Sequence, residues 1–147
     1  MSPSIQRLQS RNKRKIAFRR LPFVGVADDF WAVPAVGGYA GGCQTGDALA
    51  AMFLKYLRHD GNPEPAQSEL AWIVLSMIER AGGRIEENTP AGDALMGQIV
   101  GFFGSLNSTL LHASKSRNAS PLDSLSEASL LARANAGLQL DSETATV

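Results

Sequence analysis

"GDALAAMFLKYLRHDG" occupies residues 46–61. Within it Leu49, Met52, Phe53, Tyr56 and Leu57 recur at i, i+3, i+4, i+7 and i+8, the spacing of one face of an α-helix. Lys55, Arg58 and His59 fall in the last turns, where positive charge favours the negative end of the helix dipole. Gly61 then offers a C-terminal stop. An amphipathic helix is the prediction here, and it sets the reading of the rest.

Downstream the pattern repeats. "NPEPAQ" (62–67) reads as a turn, and "SELAWIVLSMIERAGG" (68–83) places Leu70, Ile73, Val74, Met77, Ile78 and Ala81 on one helix face. Trp72 and Leu75 lie off that face, which predicts a central helix, apolar on more than one side and ended by Gly82 and Gly83. In "TPAGDALMGQIVGFFGSLNSTLLHASK" (89–115), Thr89 suits an N-cap and Pro90 the first helical position. Its stripe is Leu95, Ile99, Phe102, Phe103, Leu106 and Leu110.

Residues 94–114 carry no formal charge, and Gly97 and Gly101 form a G-x-x-x-G. That length approaches a bilayer span. Gln98, Ser105, Asn107, Ser108 and Thr109 dilute its hydrophobicity, so the expectation is a buried helix approached closely by a neighbour at Gly97, Gly101 and Gly104. Glycine costs a helix about 1 kcal/mol relative to alanine, and close packing is the natural compensation. A polar linker and a shorter helix follow, with Ser124 and Glu127 at capping-box spacing and Gly137 as terminator. "GDAL" opens the apolar runs at 46–49 and 92–95, and "SE" follows at 68 and 126, which hints at two related helix pairs. The spacing is too irregular for a solenoid.

Upstream stands "GGYAGGCQTGD" (37–47), with five glycines in its first ten residues. A P-loop needs G-x-x-x-x-G-K-[ST]; Gly37 and Gly42 have the spacing, but Cys43 and Gln44 stand where Lys and Ser or Thr belong. A dinucleotide fingerprint needs a parallel sheet that the helical remainder does not offer. Asp47 also opposes an anion by its charge. The stretch is read as a hinge or tight packing turn. Before it, "FVGVADDFWAVPAV" (23–36) is apolar, and Pro34 demotes it to an extended segment lying across the helices, anchored by Phe23, Phe30 and Trp31.

Catalytic and metal chemistry find little support. Cys43 is the single cysteine, so no intramolecular disulfide forms, which fits a reducing, cytoplasmic setting. As a nucleophile it needs a base, and only His59 and His112 exist. These histidines and the scattered acids show no H-E-x-x-H or C-x-x-C spacing. The acid pairs Asp28–Asp29 and Glu86–Glu87 are expected in solvated loops. No enzyme, cofactor or metal site is expected.

Charge carries the functional signal. The chain has 14 Lys or Arg and 14 Asp or Glu, yet residues 1–27 hold Arg7, Arg11, Lys13, Arg14, Lys15, Arg19 and Arg20 without one acid. An arm of +7 therefore precedes a body of −7. Secretory and twin-arginine signals fit poorly, since Pro22, Asp28 and Asp29 interrupt the apolar run behind the charges. Such a basic run suits phosphate contacts, with Phe18 available to stack, or else an acidic protein surface. An anionic lipid surface is a weaker fit. The run from Thr89 to Ser114 has no Lys or Arg, so a helix-turn-helix contact and sequence-specific readout are not indicated.

The expected architecture is thus all-α: a basic arm at 1–22, an extended segment and hinge at 23–45, a bundle of about four helices at 46–140, and a disordered tail at 141–147. The expected function is non-enzymatic binding of nucleic acid by the arm, within a complex or homo-oligomer. The alternative is a helical adaptor whose arm docks on acidic protein.

Overall fold

A computed structural model describes residues 18–61 and 68–144, with side chains through residue 140. Every regular element among these residues is helical. Four α-helices follow one another: α1 (Gly38–Asp60), α2 (Glu69–Ala81), α3 (Pro90–Ser114) and α4 (Glu127–Thr144). Short 3-10 helices lie at Phe18–Arg20 and Arg117–Ser124. The protein is all-α. Two compact units divide at Asn107/Ser108, within α3. The expected turn at 62–67 lies outside the described residues.

The glycine-rich stretch is not a hinge. Helix α1 begins at Gly38 and runs through it, so "GDAL" at 46–49 lies well inside the helix rather than opening it. The reason is tertiary. A Cβ on Gly42 would run into the Ala94 carbonyl, and one on Gly46 into the Gln98 carbonyl. Reciprocally, a Cβ on Gly97 would meet Tyr39 O, and one on Gly101 would meet Cys43 O. Two G-x-x-x-G faces, one on each helix, bring the backbones of α1 and α3 into direct contact. Gly104 has nothing within 4 Å of where its Cβ would stand and takes no part.

That contact rotates the buried faces away from the sequence stripes. On α1 the buried set is Gly42, Gly46, Leu49, Ala50, Phe53 and Tyr56, while Met52 and Leu57 are exposed. On α3 it is Gly92, Ala94, Leu95, Gly97, Gln98, Phe102 and Leu106; Leu110 is exposed. Helix α2 is peripheral rather than central. It buries Ile73, Ser76 and Met77 and leaves Trp72, Leu75 and Ile78 exposed. Ser68 caps its start, its hydroxyl accepting from Ala71 N at 3.3 Å. Left-handed Gly82 (φ 64°) ends it, its N–H reaching back to Glu79 O.

Residues 21–36 form no strand but cross the first unit as a buried strap. Phe23 and Trp31 are fully buried, and Leu21, Val24, Phe30 and Val33 are buried with them. Gln98 holds the strap in place. Its side-chain oxygen accepts from Trp31 Nε1 at 3.1 Å, and its nitrogen donates to the Pro34 carbonyl at 2.8 Å. Ser76 Oγ accepts from Phe30 N at 2.9 Å, which fixes α2 to the same strap.

Helix α3 is long and apolar enough, by length and composition, to cross a bilayer, and a third of its most apolar window is buried inside the protein. In the second unit no residue of α4 from 127 to 140 is buried. Its cap is Ser126, which accepts from Ser129 N, whereas Ser124 turns to Pro121 O. Gly137 does not end it; the helix continues to Thr144, into the stretch expected to be disordered.

Candidate functional site

The arm joins the body at Phe18, which is 7% exposed and packed among aromatic rings. Ring centroids lie 5.7 Å away for Phe30, 5.7 Å for Tyr56 and 6.1 Å for Trp72. Phe18 is therefore spent on the core, and the expectation that it could stack on a partner is corrected. Phe18 and Leu21, inside the stretch expected as the arm (1–22), belong to the buried core.

Of the seven bases, Arg19 and Arg20 are described, and both are exposed. The Arg19 guanidinium sits 5.7 Å from the Phe30 ring centre and 3.4 Å from Asp28 Oδ1. It has a cation–π contact and a loose surface ion pair, each weak in water. Arg20 has no side-chain ion pair or hydrogen bond among the described residues. Arg7, Arg11, Lys13, Arg14 and Lys15 lie outside the described residues. What the structure supplies for them is a root: a short 3-10 turn pinned by Phe18 and Leu21, with two arginines outward.

Asp28 and Asp29 are not simply solvated. Asp28 adopts a left-handed backbone (φ 61°) beside Ala27 (φ 54°), at the tip of a loop closed by Ala32 N donating to Phe23 O at 2.7 Å. Asp29 accepts from Trp31 N at 3.1 Å through Oδ1 and from Arg80 at 3.0 Å through Oδ2. This carboxylate shapes the strap. Glu86 and Glu87 are exposed, and the Glu86 carbonyl accepts from Thr89 Oγ1 at 3.1 Å.

Cys43 is half-buried, with its neighbour one turn earlier being the exposed Tyr39. Hydrogen bonding to Cys43 holds the Tyr39 phenol above its ordinary range. His59 stands 16 residues further along the same helix, about 24 Å at ~1.5 Å per residue. His112 bonds Ser108 O through Nδ1 at 2.8 Å. Among the described residues no three His, Cys, Asp or Glu gather where they could hold a metal ion.

Sequence reasoning missed Gln98, Asp29 and Ser76, the polar groups that fasten the strap. A signal existed for Gln98: it lies between Leu95 and Phe102 at helical spacing, on the stripe itself. Compared with known protein families, curated proteins and solved structures, the chain matches none.

Proposed function

We propose that this is a non-enzymatic accessory protein that holds nucleic acid, without sequence preference, through its basic arm, with the helical body as a mount within a complex or homo-oligomer. One observation carries the reading: seven bases between residues 7 and 20, no acid before Asp28, and an opposite charge of −7 on the rest of the chain. Repulsion between the acidic body and a polyphosphate confines contact to the arm, while the arm's own charges release counterions on binding. Exposed Arg19 and Arg20 carry the basic run just past the anchored Phe18.

The test compares the intact protein with a chain lacking residues 1–17, each titrated into labelled duplex and single-stranded probes at about 50 mM salt. Intact protein binds both and the shortened chain binds neither. A shortened chain that binds as well as the intact one refutes the reading. The alternative, an adaptor docking on acidic protein, draws on the same charges and is favoured if an acidic polypeptide such as polyglutamate binds where both nucleic acids fail.

A further inference from the structure

We infer that the first unit carries a binding site for a small apolar carboxylate, of the size of a medium-chain fatty acid, in the groove between α2 and α3. The groove has a volume of about 270 Å³. Its walls are Val74, Met77 and Ala81 from α2, Ile85 from the connecting loop, and Ile99 and Phe103 from α3. These side chains are half-buried or buried, and Ile78 stands exposed beside them. The walls therefore form a recess rather than a flat patch, close to the lower end of small-ligand sites at about 300 Å³.

Its polar equipment is one group. Arg84 is the single charged residue of the lining, is exposed, and its side chain has no hydrogen bond or ion pair among the described residues. Arg80, its neighbour on α2, is engaged by Asp29 at 3.0 Å. Glu79 and Glu86 line the adjoining cavity, which shares Ala81, Arg84 and Ile85 with this one, and not the groove itself. An apolar recess with one uncommitted guanidinium selects a ligand with one anionic end, because a planar fork suits a carboxylate and nothing else in the lining satisfies a polar chain.

The volume bounds the tail. A recess of about 270 Å³ takes a short to medium acyl chain, and octanoate is the probe of that size. Why leave such a recess open? The loop of Gly82 and Gly83 turns the chain away from α2 at once, so no side chain from residues 82 or 83 covers the end of the groove. The site uses none of the arm's bases and stands whether or not the arm binds nucleic acid.

The experiment is a methyl-resolved NMR titration of the full chain with hexanoate, octanoate and decanoate, all below their micelle concentrations. Octanol and octylammonium serve as controls. The site predicts saturable shifts confined to Val74, Ile85 and Ile99, with affinity rising about fourfold per methylene up to octanoate and then levelling. Arg84→Gln weakens octanoate by about tenfold and leaves octanol unchanged; Ala81→Leu, which fills the recess, abolishes the shifts. Thermal unfolding checks that each variant folds, and Ile99→Phe serves as the filling variant if Ala81→Leu does not. Octylammonium binding as well as octanoate, an Arg84→Gln variant binding octanoate normally, or non-saturating shifts spread over the surface would each overturn the assignment.

Discussion

Gln98 is one polar side chain with no exposed surface, yet both ends of its amide are used. Removing it leaves the Trp31 indole N–H and the Pro34 carbonyl without partners, and an orphaned buried group costs about 1–3 kcal/mol. Gln98→Met keeps the volume and loses both bonds, so urea unfolding should show a loss of about 2 kcal/mol or more. Tyr56 makes a second prediction at this scale. It is 7% exposed and donates to Glu69 Oε1 at 2.7 Å. Burial, followed by that bond, lifts its phenol well above the ordinary value. The folded state then keeps a proton that the unfolded chain loses at about pH 10. Stability from this group is whole below about pH 10 and falls as pH rises further. Tyr56→Phe should flatten that alkaline loss in a series of unfolding curves above about pH 9; an unchanged slope would contradict the assignment. The stripe marked Gln98 as a position facing the core, but the partners of neither residue were legible from the sequence, because they lie many positions away (67 for Trp31, 13 for Glu69).

At the scale of elements, α1 and α3 meet through glycines, and this makes a contrast within one helix. Gly97→Ala drives a Cβ into the α1 backbone, where neither helix can yield cheaply. Overpacking of this kind costs about 1–3 kcal/mol or more. Gly104→Ala meets open space and gains helix propensity, so it should stabilise by up to about 1 kcal/mol. Opposite shifts in thermal midpoint for the two variants are the expected result. The periodicity of "GDALAAMFLKYLRHDG" was enough to place a helix, and Gly97 with Gly101 suggested a close neighbour. What periodicity could not supply was the helix's true start at Gly38. A run of glycines opposes helix formation locally, and only the interlock with α3 offsets that. The same interlock turned the buried stripes. Thr89, by contrast, read correctly as a local signal, its hydroxyl accepting from Gly92 N at 3.1 Å, since a cap needs only the three residues that follow it, whereas the capping box expected at Ser124 lies two residues off, at Ser126.

For the whole molecule, the division between arm and body decides what each substitution does. Phe18→Ala removes a ring from the aromatic cluster and should cost about 3–5 kcal/mol in denaturant unfolding. Lys13, Arg14 and Lys15 lie before that anchor, and changing them to alanine should leave the unfolding midpoint unmoved. The charge split was plain in composition by segment, whereas the point where the arm becomes core was not. Phe18 stands between bases and looks like part of the arm until its ring is placed against Phe30, Tyr56 and Trp72.

The most direct measurement of the account is therefore the salt dependence of nucleic-acid binding by the intact protein and by the Lys13→Ala, Arg14→Ala, Lys15→Ala variant. Seven phosphate contacts give a slope of log K against log salt of about −6 on duplex DNA, at about 0.9 per contact. Losing three contacts should flatten that slope by about 2.7, with the same change on unrelated sequences and a folded protein throughout. If the intact protein shows no salt-sensitive binding to either duplex or single strands near about 50 mM salt, the arm does not serve nucleic acid, and the proposed function is wrong.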